Sequence, residues 1–174
     1  MYQVNDKDIV VPLEGVPQSS VGSPRPFVMA DEYVVVLAYY IEAYGRPLRE
    51  APQIILPIDN AEDIAIVRFE GHTHIFGSPN DEAFSGHPLA SRGLTPYGAF
   101  RIENSSWIRQ LESMNSVHPN HRPEQYRTLQ HLVFTFHDST FECVCERFDV
   151  RVTRGSTQDL IPEMVKLLYR DTPT

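Results

Sequence analysis

Histidine and acidic side chains lie on both sides of one predicted turn, where they could perform acid–base chemistry. His137 and Glu142 flank Asp138-Ser139, two residues that favour a turn between β-rich segments. On one face of a hairpin they would be diagonal neighbours, and a carboxylate beside an imidazole fixes its tautomer, as general acid–base catalysis requires. We therefore predict catalytic roles for His137 and Glu142, joined by His87 from a nearby loop. The alternative is an ion pair on a solvent-exposed sheet surface.

A second pair, His72 and His74, has the spacing of two metal ligands on one side of a strand. Asp81 and Glu82 follow and could add carboxylate ligands. The His-x-His pair resembles the first cupin motif, although Glu82 lies farther along than that motif places its glutamate, and no second cupin motif follows. The pair predicts a divalent metal ion as cofactor. The alternative is two strand-end histidines in hydrogen bonds or in solvent.

The segment 129–150 predicts the hairpin that would carry the acid–base site. With the turn at Asp138-Ser139, His137 pairs with Thr140, and the apolar pairs are Phe136 with Phe141, Phe134 with Cys143 and Leu132 with Cys145. Because side chains alternate, these apolar residues share one face. The polar face, which would be open, would carry His131, Val133, Thr135, His137, Thr140, Glu142, Val144 and Glu146. His131 would pair with Glu146, and a change of parity predicts a bulge near Glu146-Arg147.

The remaining pattern predicts an α+β fold with a mostly antiparallel sheet, curved or sandwich-like, and two or three helices. Strands are expected at 33–41, 53–58, 63–70 and 100–103, with 72–76 continuing the third strand past a bulge at Gly71. Helices are expected at 104–115, 123–130 and, at the C-terminus, 159–169. The stretch 77–98 contains four glycines and three prolines, and a loop of that length in a compact domain is often functional.

Size, charge and cysteine content narrow the class of protein. The 174 residues, 41% hydrophobic, suit one globular domain spanning 1–174. The net charge of -8, without a basic cluster, argues against nucleic acid or an anionic membrane surface as a partner. Cys143 and Cys145 are poorly placed for a disulfide, and no apolar signal segment follows Met1, so we expect reduced thiols and a cytoplasmic location.

Three segments are similar to a known group: FGSPNDEAFSGHPL at 76–89, ENSSWIRQLESMNSVHP at 103–119 and HLVFTFHDSTFECV at 131–144. They resemble a family of small bacterial proteins to which no activity is assigned. The resemblance implies a compact single domain and the hairpin, and it carries over no cofactor or catalytic residue.

Two function classes remain open on the residues. One is a small-molecule enzyme or binder with a His/Glu-lined pocket between the 131–146 hairpin and the 77–98 loop, with or without a metal. The other is a non-catalytic interaction or accessory protein. A homo-oligomer is compatible with both classes.

Overall fold

The computed structural model describes residues 2–42 and 62–170, except the side chain of His72. These residues form one seven-stranded antiparallel sheet and two α-helices. The strands are β1 (Ile9–Pro12), β2 (Phe27–Ala30), β3 (Val34–Tyr40), β4 (Glu62–Gly77), β5 (Ala99–Glu103), β6 (Gln130–Thr135) and β7 (Thr140–Gly155). The helices are α1 (Ser106–Asn115) and α2 (Thr157–Leu168). The expected α+β class, with an antiparallel sheet and a helix near the C-terminus, is confirmed.

The strand order is β1-β5-β6-β7-β4-β3-β2. All pairs belong to one sheet, so the sandwich alternative is not what these residues form. The helix expected at 123–130 is a short 3-10 helix at Pro123–Arg127. The strand expected at 53–58 lies outside the described residues. In the described parts of the chain, no helix is long and apolar enough to cross a membrane.

The two longest strands, β4 and β7, pair along their whole length and form the middle of the sheet. Their register shifts at Glu146 on β7, because Glu70 pairs with Arg147 but Gly71 pairs with Cys145. It shifts again directly after Gly71 on β4, because the next pair is Thr73 with Val144. Both bulges were predicted from the sequence and are confirmed. A bulge bends its strand and increases the local twist, which turns the ends of β4 and β7 relative to each other.

Aromatic side chains show that the sheet bends towards one face. Tyr39 of β3 lies 6.3 Å from Phe134 of β6 between ring centroids, although β4 and β7 separate these strands. In a flat sheet the two backbones would be about 14 Å apart, at three strand spacings. This inner face holds the largest core cluster: Val35, Leu37, Tyr39, Ile41, Ala65, Val67, Phe69, Leu132, Phe134, Phe136, Phe141, Cys143 and Cys145.

The outer face is covered in two halves. Helix α2 packs on β3 and β4 through Leu160, Met164, Leu167 and Leu168. Over β5, β6 and β7, the cover consists of α1, the loop between β4 and β5, and the chain before β1, which contribute Trp107, Phe84, Leu89, Leu94 and Tyr2. Val133 and Val144, expected on an open polar face, are therefore completely buried. The expectation of an open face was wrong because strand alternation cannot show what packs on each side.

The predicted hairpin forms, with its register shifted by two residues. Phe134 pairs with Phe141, and Thr135 pairs with Thr140. The turn is closed by a hydrogen bond from the amide of Phe136 to the carbonyl of Ser139, so Phe136 and His137 lie in the loop. The expected pairs Phe136–Phe141 and Phe134–Cys143 are wrong. The expected burial of Phe134, Phe136, Phe141 and Cys143 is confirmed.

Serine side chains cap both helices at their N-termini. The hydroxyl of Ser105 accepts from the amide of Ile108 at 3.2 Å, and that of Ser156 accepts from the amide of Asp159 at 3.1 Å. Such caps satisfy amide groups that have no partner within the helix. Helix α1 begins three residues after the end of β5, and Ser105 between them lies within hydrogen-bonding distance of His131 on β6.

Candidate functional site

The loop between β4 and β5 is tied at both ends to the tip of the β6–β7 hairpin. Near its start, the amide of Asp81 donates to the carbonyl of His137 at 2.8 Å. Near its end, the amide of Gly98 donates to the hydroxyl of Thr135 at 2.8 Å. Two short 3-10 helices, Phe84–Gly86 and Ala90–Arg92, lie between these ties. The loop thus holds two polar clusters against the hairpin, one at the surface and one buried.

The surface cluster consists of Asp81, Tyr97 and His137. Oδ2 of Asp81 accepts a hydrogen bond from the Tyr97 hydroxyl at 2.6 Å and lies 3.0 Å from Nδ1 of His137. The Tyr97 hydroxyl is itself 3.2 Å from that nitrogen. These hydrogen bonds, with that from Tyr97 first, lower the pKa of Asp81 and outweigh the opposing effect of burial. The carboxyl group is therefore an ionised acceptor at neutral pH.

An ionised carboxylate at Nδ1 assigns the proton of a neutral His137 to that nitrogen. The lone pair then lies on Nε2, for which the described residues provide no hydrogen-bond partner. The His137 side chain is 43% exposed, so solvent or a small molecule can reach the ring. This is the arrangement of a general base: one ring nitrogen is held by a carboxylate and the other is open.

Two further features set this cluster apart from an ordinary surface ion pair. Tyr97 has φ 59, in the left-handed region that bulky side chains rarely adopt. Oδ1 of Asp81 is shielded from solvent and has no hydrogen-bond partner among the described residues. Burial and the neighbouring carboxylate of Asp81 raise the pKa of Tyr97 to about 12, so its hydroxyl stays protonated as a donor. Backbone strain and unsatisfied polar atoms are both enriched at functional sites.

The buried cluster is centred on Glu142, whose side chain is almost completely enclosed. Oε2 accepts from the Tyr2 hydroxyl at 2.6 Å and lies 3.0 Å from Nε2 of His131. Oε1 lies 3.3 Å from Nε2 of His87. Because Nδ1 of His87 accepts the amide of Leu89 at 3.1 Å, its proton is on Nε2 and points to the carboxylate.

These partners decide the ionisation of the buried carboxyl group. Burial acts to raise the pKa of Glu142, but the hydrogen bonds from His131, His87 and Tyr2 outweigh it and lower the pKa to about 2. Desolvation by burial, followed by the charge of Glu142, in turn raises the pKa of Tyr2. Glu142 is therefore a carboxylate across the neutral range, held by three donors in a site that solvent does not reach.

The structure separates the predicted catalytic residues into the two clusters. His87 and Glu142 are brought together, as the prediction required. His137 binds Asp81 and Tyr97, whereas Glu142 binds Tyr2, His87 and His131, so the structure does not pair His137 with Glu142. The expected pairing of His131 with Glu146 is also wrong, because the two-residue shift places His131 opposite Val144.

The metal prediction rests on His72 and His74. The side chain of His72 lies outside the described structure, so the pair stays a prediction. The ring of His74 stacks on Phe141 at 6.1 Å between centroids, and partial burial lowers its pKa. Where side chains are described, no group of three or more histidine, cysteine, aspartate or glutamate residues is arranged to hold a metal ion.

Several residues of the clusters carried no signal in the sequence. Tyr2 reaches Glu142 across 140 positions of the chain, and Tyr97 reaches His137 across 40. From the sequence, Asp81 was a possible metal ligand rather than a partner of His137. Position 97 offered one clue, since a Pro-Tyr-Gly triplet indicates a turn, where left-handed backbone is common.

Comparisons with known proteins assign no relative to this chain. No family model, curated protein or solved structure matches it. Proposals about its function therefore rest on the geometry of the two clusters.

Proposed function

We propose that the protein acts on a small molecule by general acid–base catalysis at Asp81, Tyr97 and His137. The observation that carries this proposal is the orientation of His137. Its Nδ1 lies 3.0 Å from an ionised carboxylate, while Nε2 is on an exposed ring without a protein partner in the described residues. The proposal keeps the small-molecule class expected from the sequence and moves its centre from Glu142 to Asp81.

The chemistry assigned to each group follows from its hydrogen bonds. Nε2 of His137 takes a proton from the substrate, and Asp81 stabilises the imidazolium that forms. The Tyr97 hydroxyl donates its one proton to Asp81 and thereby helps to hold the carboxylate beside the ring. A correctly placed base of this kind contributes about 10²–10⁴-fold to a rate.

A generic proton-transfer substrate tests the proposal without knowledge of the natural one. In 5-nitrobenzisoxazole, removal of the ring C–H proton by a base is coupled to cleavage of the N–O bond. We expect wild-type protein to accelerate this elimination at least about tenfold relative to His137→Gln, because a neutral amide cannot accept the proton. Asp81→Ala should give a smaller loss, since the ring remains but is no longer oriented.

His118 provides the matched control. His118 is exposed, and its Nδ1 accepts the amide of Asn120 at 3.1 Å. Its ring has no carboxylate partner among the described residues. His118→Gln should leave the elimination rate unchanged. Equal rates for wild type and His137→Gln, or an equal loss in His118→Gln, would contradict the proposal.

The surface of α2 favours a second candidate function, a non-catalytic interaction protein. Ile161, Val165 and Tyr169 are exposed at intervals of four residues and form an apolar stripe beside the buried face of the helix. A second copy of the chain is the simplest occupant to test. If light scattering shows a dimer that Val165→Lys dissociates and Met114→Lys does not, this candidate is supported.

A further inference from the structure

Ser105 lies at a strand–turn–helix junction that presents its hydroxyl to a histidine. Strand β5 ends at Glu103, Asn104 adopts the left-handed region at φ 52, and Ser105 caps α1. Its Oγ lies 2.9 Å from Nδ1 of His131, and both side chains are buried. A sharp turn from a strand into a helix is a geometry that enzymes use to present a nucleophilic serine.

The tautomer of His131 suits a base that accepts the serine proton. Nε2 lies 3.0 Å from Oε2 of Glu142, and an ionised carboxylate requires the ring proton on that side. Nδ1 is then a lone pair facing the Ser105 hydroxyl. Because Oγ already accepts the amide of Ile108, its own proton is available for His131. Nucleophile, base and orienting carboxylate thus stand in one chain of hydrogen bonds.

The segment 2–8 covers this relay with groups that resemble a bound ligand. The Tyr2 ring stacks on Trp107 at 5.2 Å between centroids and 7°, lies perpendicular to the His131 ring at 5.3 Å between centroids, and binds Glu142 through its hydroxyl. The Asp8 carboxylate accepts the amide of Ser106, the residue directly after the serine. In serine hydrolases that amide stabilises the oxyanion, so Asp8 occupies the position of a developing negative charge.

A second polar group beside the relay is unsatisfied. The hydroxyl of Ser106 is buried and has no hydrogen-bond partner among the described residues. A buried hydroxyl without a partner costs free energy, and a ligand in the space now filled by segment 2–8 could supply one. The Ser106 hydroxyl is not part of the Ser105–His131–Glu142 chain of hydrogen bonds, although Ser106 directly follows Ser105 in the sequence.

The cover is attached mainly by side chains. Among the described residues, the segment 2–8 makes one backbone–backbone hydrogen bond outside the sheet. This bond lies within the segment itself and runs from the amide of Asp8 to the carbonyl of Asn5. The polar attachments of these side chains to the rest of the protein are Tyr2 to Glu142, Asp8 to Ser106 and Arg109, Asn5 to Arg109 and Asp6 to Arg92. Segments with few backbone hydrogen bonds open at lower free energy than sheet strands.

We propose that Ser105, His131 and Glu142 form an occluded acyl-transfer site, which accepts an aryl ester when segment 2–8 moves aside. The aromatic preference follows from the flat face of Trp107 and the adjoining His131 ring, which the Tyr2 ring now covers. Ser105 is the nucleophile, His131 the base, and Glu142 and His87 are positioning residues. This site is separate from the His137 cluster and does not depend on the function proposed there.

The reaction balances with water as the only co-reactant. Oγ of Ser105 bonds to the acyl carbon as its proton passes to Nδ1 of His131, and the ester C–O bond breaks. The phenolate leaves with that proton as a phenol. A water molecule then attacks the acyl-enzyme, again through His131, and releases the carboxylic acid and the free serine. One ester and one water give one acid and one phenol.

A fluorophosphonate probe tests the site directly, because it phosphonylates an activated serine and releases fluoride. We expect Ser105 to be labelled at least about tenfold faster in the double variant Tyr2→Ala/Asp8→Ala than in wild type, because the labelling rate is proportional to the population of the open state. Peptide mapping identifies the labelled residue. Glu32→Ala/Tyr33→Ala is the matched control, since both side chains are exposed and lie outside segment 2–8. It should label as slowly as wild type.

Further variants in the opened background separate catalysis from structure. Ser105→Ala should abolish labelling, and His131→Gln should slow it about 10²-fold or more. Glu142→Gln should slow it and move the midpoint of its pH profile, which a merely structural carboxylate would not do. If the double variant does not fold by circular dichroism, Tyr2→Phe and Asp8→Asn take its place, with a smaller acceleration expected.

Three results would overturn the proposal. The first is a folded opened variant that remains unlabelled at Ser105. The second is labelling spread over other serines at the same rate. The third is labelling that His131→Gln leaves unchanged. None of these results bears on the elimination activity assigned to His137, which is measured with a different substrate and different variants.

Discussion

Nε2 of His131 lies 3.0 Å from Oε2 of Glu142, and neither side chain has appreciable contact with solvent. A buried carboxylate is costly unless its partners satisfy it, and Glu142 has three donors: His131, His87 and Tyr2. The protein thus keeps an ionised group inside the part of its core that covers β5, β6 and β7. The consequences for stability are measurable without knowledge of any substrate.

Acid should destabilise the protein through Glu142. Its pKa falls from an ordinary 4.5 to about 2 on folding, which corresponds to about 3 kcal/mol of stability above pH 4.5. Because the folded state holds the carboxylate, the unfolded state binds the proton first, and this contribution is lost as the pH falls from 4.5 towards 2. Urea unfolding followed from pH 6 to pH 2 measures the loss.

The Glu142→Gln variant is the control for that pH dependence. It should be less stable at pH 6 and should show a flatter decline between pH 4.5 and 2, since the titrating group is gone. An acid limb as steep as that of wild type would show that other carboxylates cause the decline.

Removal of one hydroxyl should weaken the same cluster. Tyr2→Phe keeps the ring on Trp107 and deletes the 2.6 Å hydrogen bond to Glu142. Because hydrogen bonds to charged groups contribute about 1.5–3 kcal/mol, we expect a loss of that size in the free energy of unfolding. The acid transition should also move to higher pH, since Tyr2 helps to lower the pKa of Glu142. Tyr33→Phe, at an exposed position, should change neither quantity.

The hairpin core can be tested by truncation of a single ring. Phe134→Ala should lower the free energy of unfolding by about 3–5 kcal/mol, because the ring is buried against Tyr39, Phe69 and Phe141. Phe76 also lies beside Phe141 but is 44% exposed, so Phe76→Ala should cost markedly less. Similar losses in chemical denaturation of the two variants would contradict the assigned core.

The alternation of apolar and polar residues predicted which side chains of this hairpin share a face, but it did not predict which residues pair across the two strands. A shift of two residues leaves every side chain on the same face, so Phe134 is buried whether it pairs with Cys143 or with Phe141. The loop length decides between the two, and His137-Asp138-Ser139-Thr140 carries no Asn-Gly or Gly that would specify a two-residue turn. The bulge at Glu146 was predictable because the parity of the apolar residues changes there, and the bulge at Gly71 because an isolated glycine in a strand pattern often marks one.

The site was less predictable than the sheet. His87 and Glu142 were singled out by residue type, yet their partner Tyr2 is 140 positions from Glu142 and has no local signature. Glu142 also alternates with apolar residues in the way that a surface strand does. Its burial depends on α1, the loop and the chain before β1, whose positions are tertiary information. Ser105 was predictable as a cap but not as a partner of His131.

The ring nitrogens of two histidines offer a direct test of the surface cluster. With Asp81 at Nδ1, neutral His137 should carry its proton on Nδ1, whereas His118, whose Nδ1 accepts the amide of Asn120, should carry it on Nε2. Long-range 1H–15N correlation spectra, recorded at a pH at which both rings are neutral, distinguish the two tautomers in one sample. In Asp81→Ala, His137 should lose its preference for Nδ1 while His118 remains unchanged. An Nε2-protonated His137 in wild type would leave no lone pair facing solvent, and His137 could not then serve as the open general base.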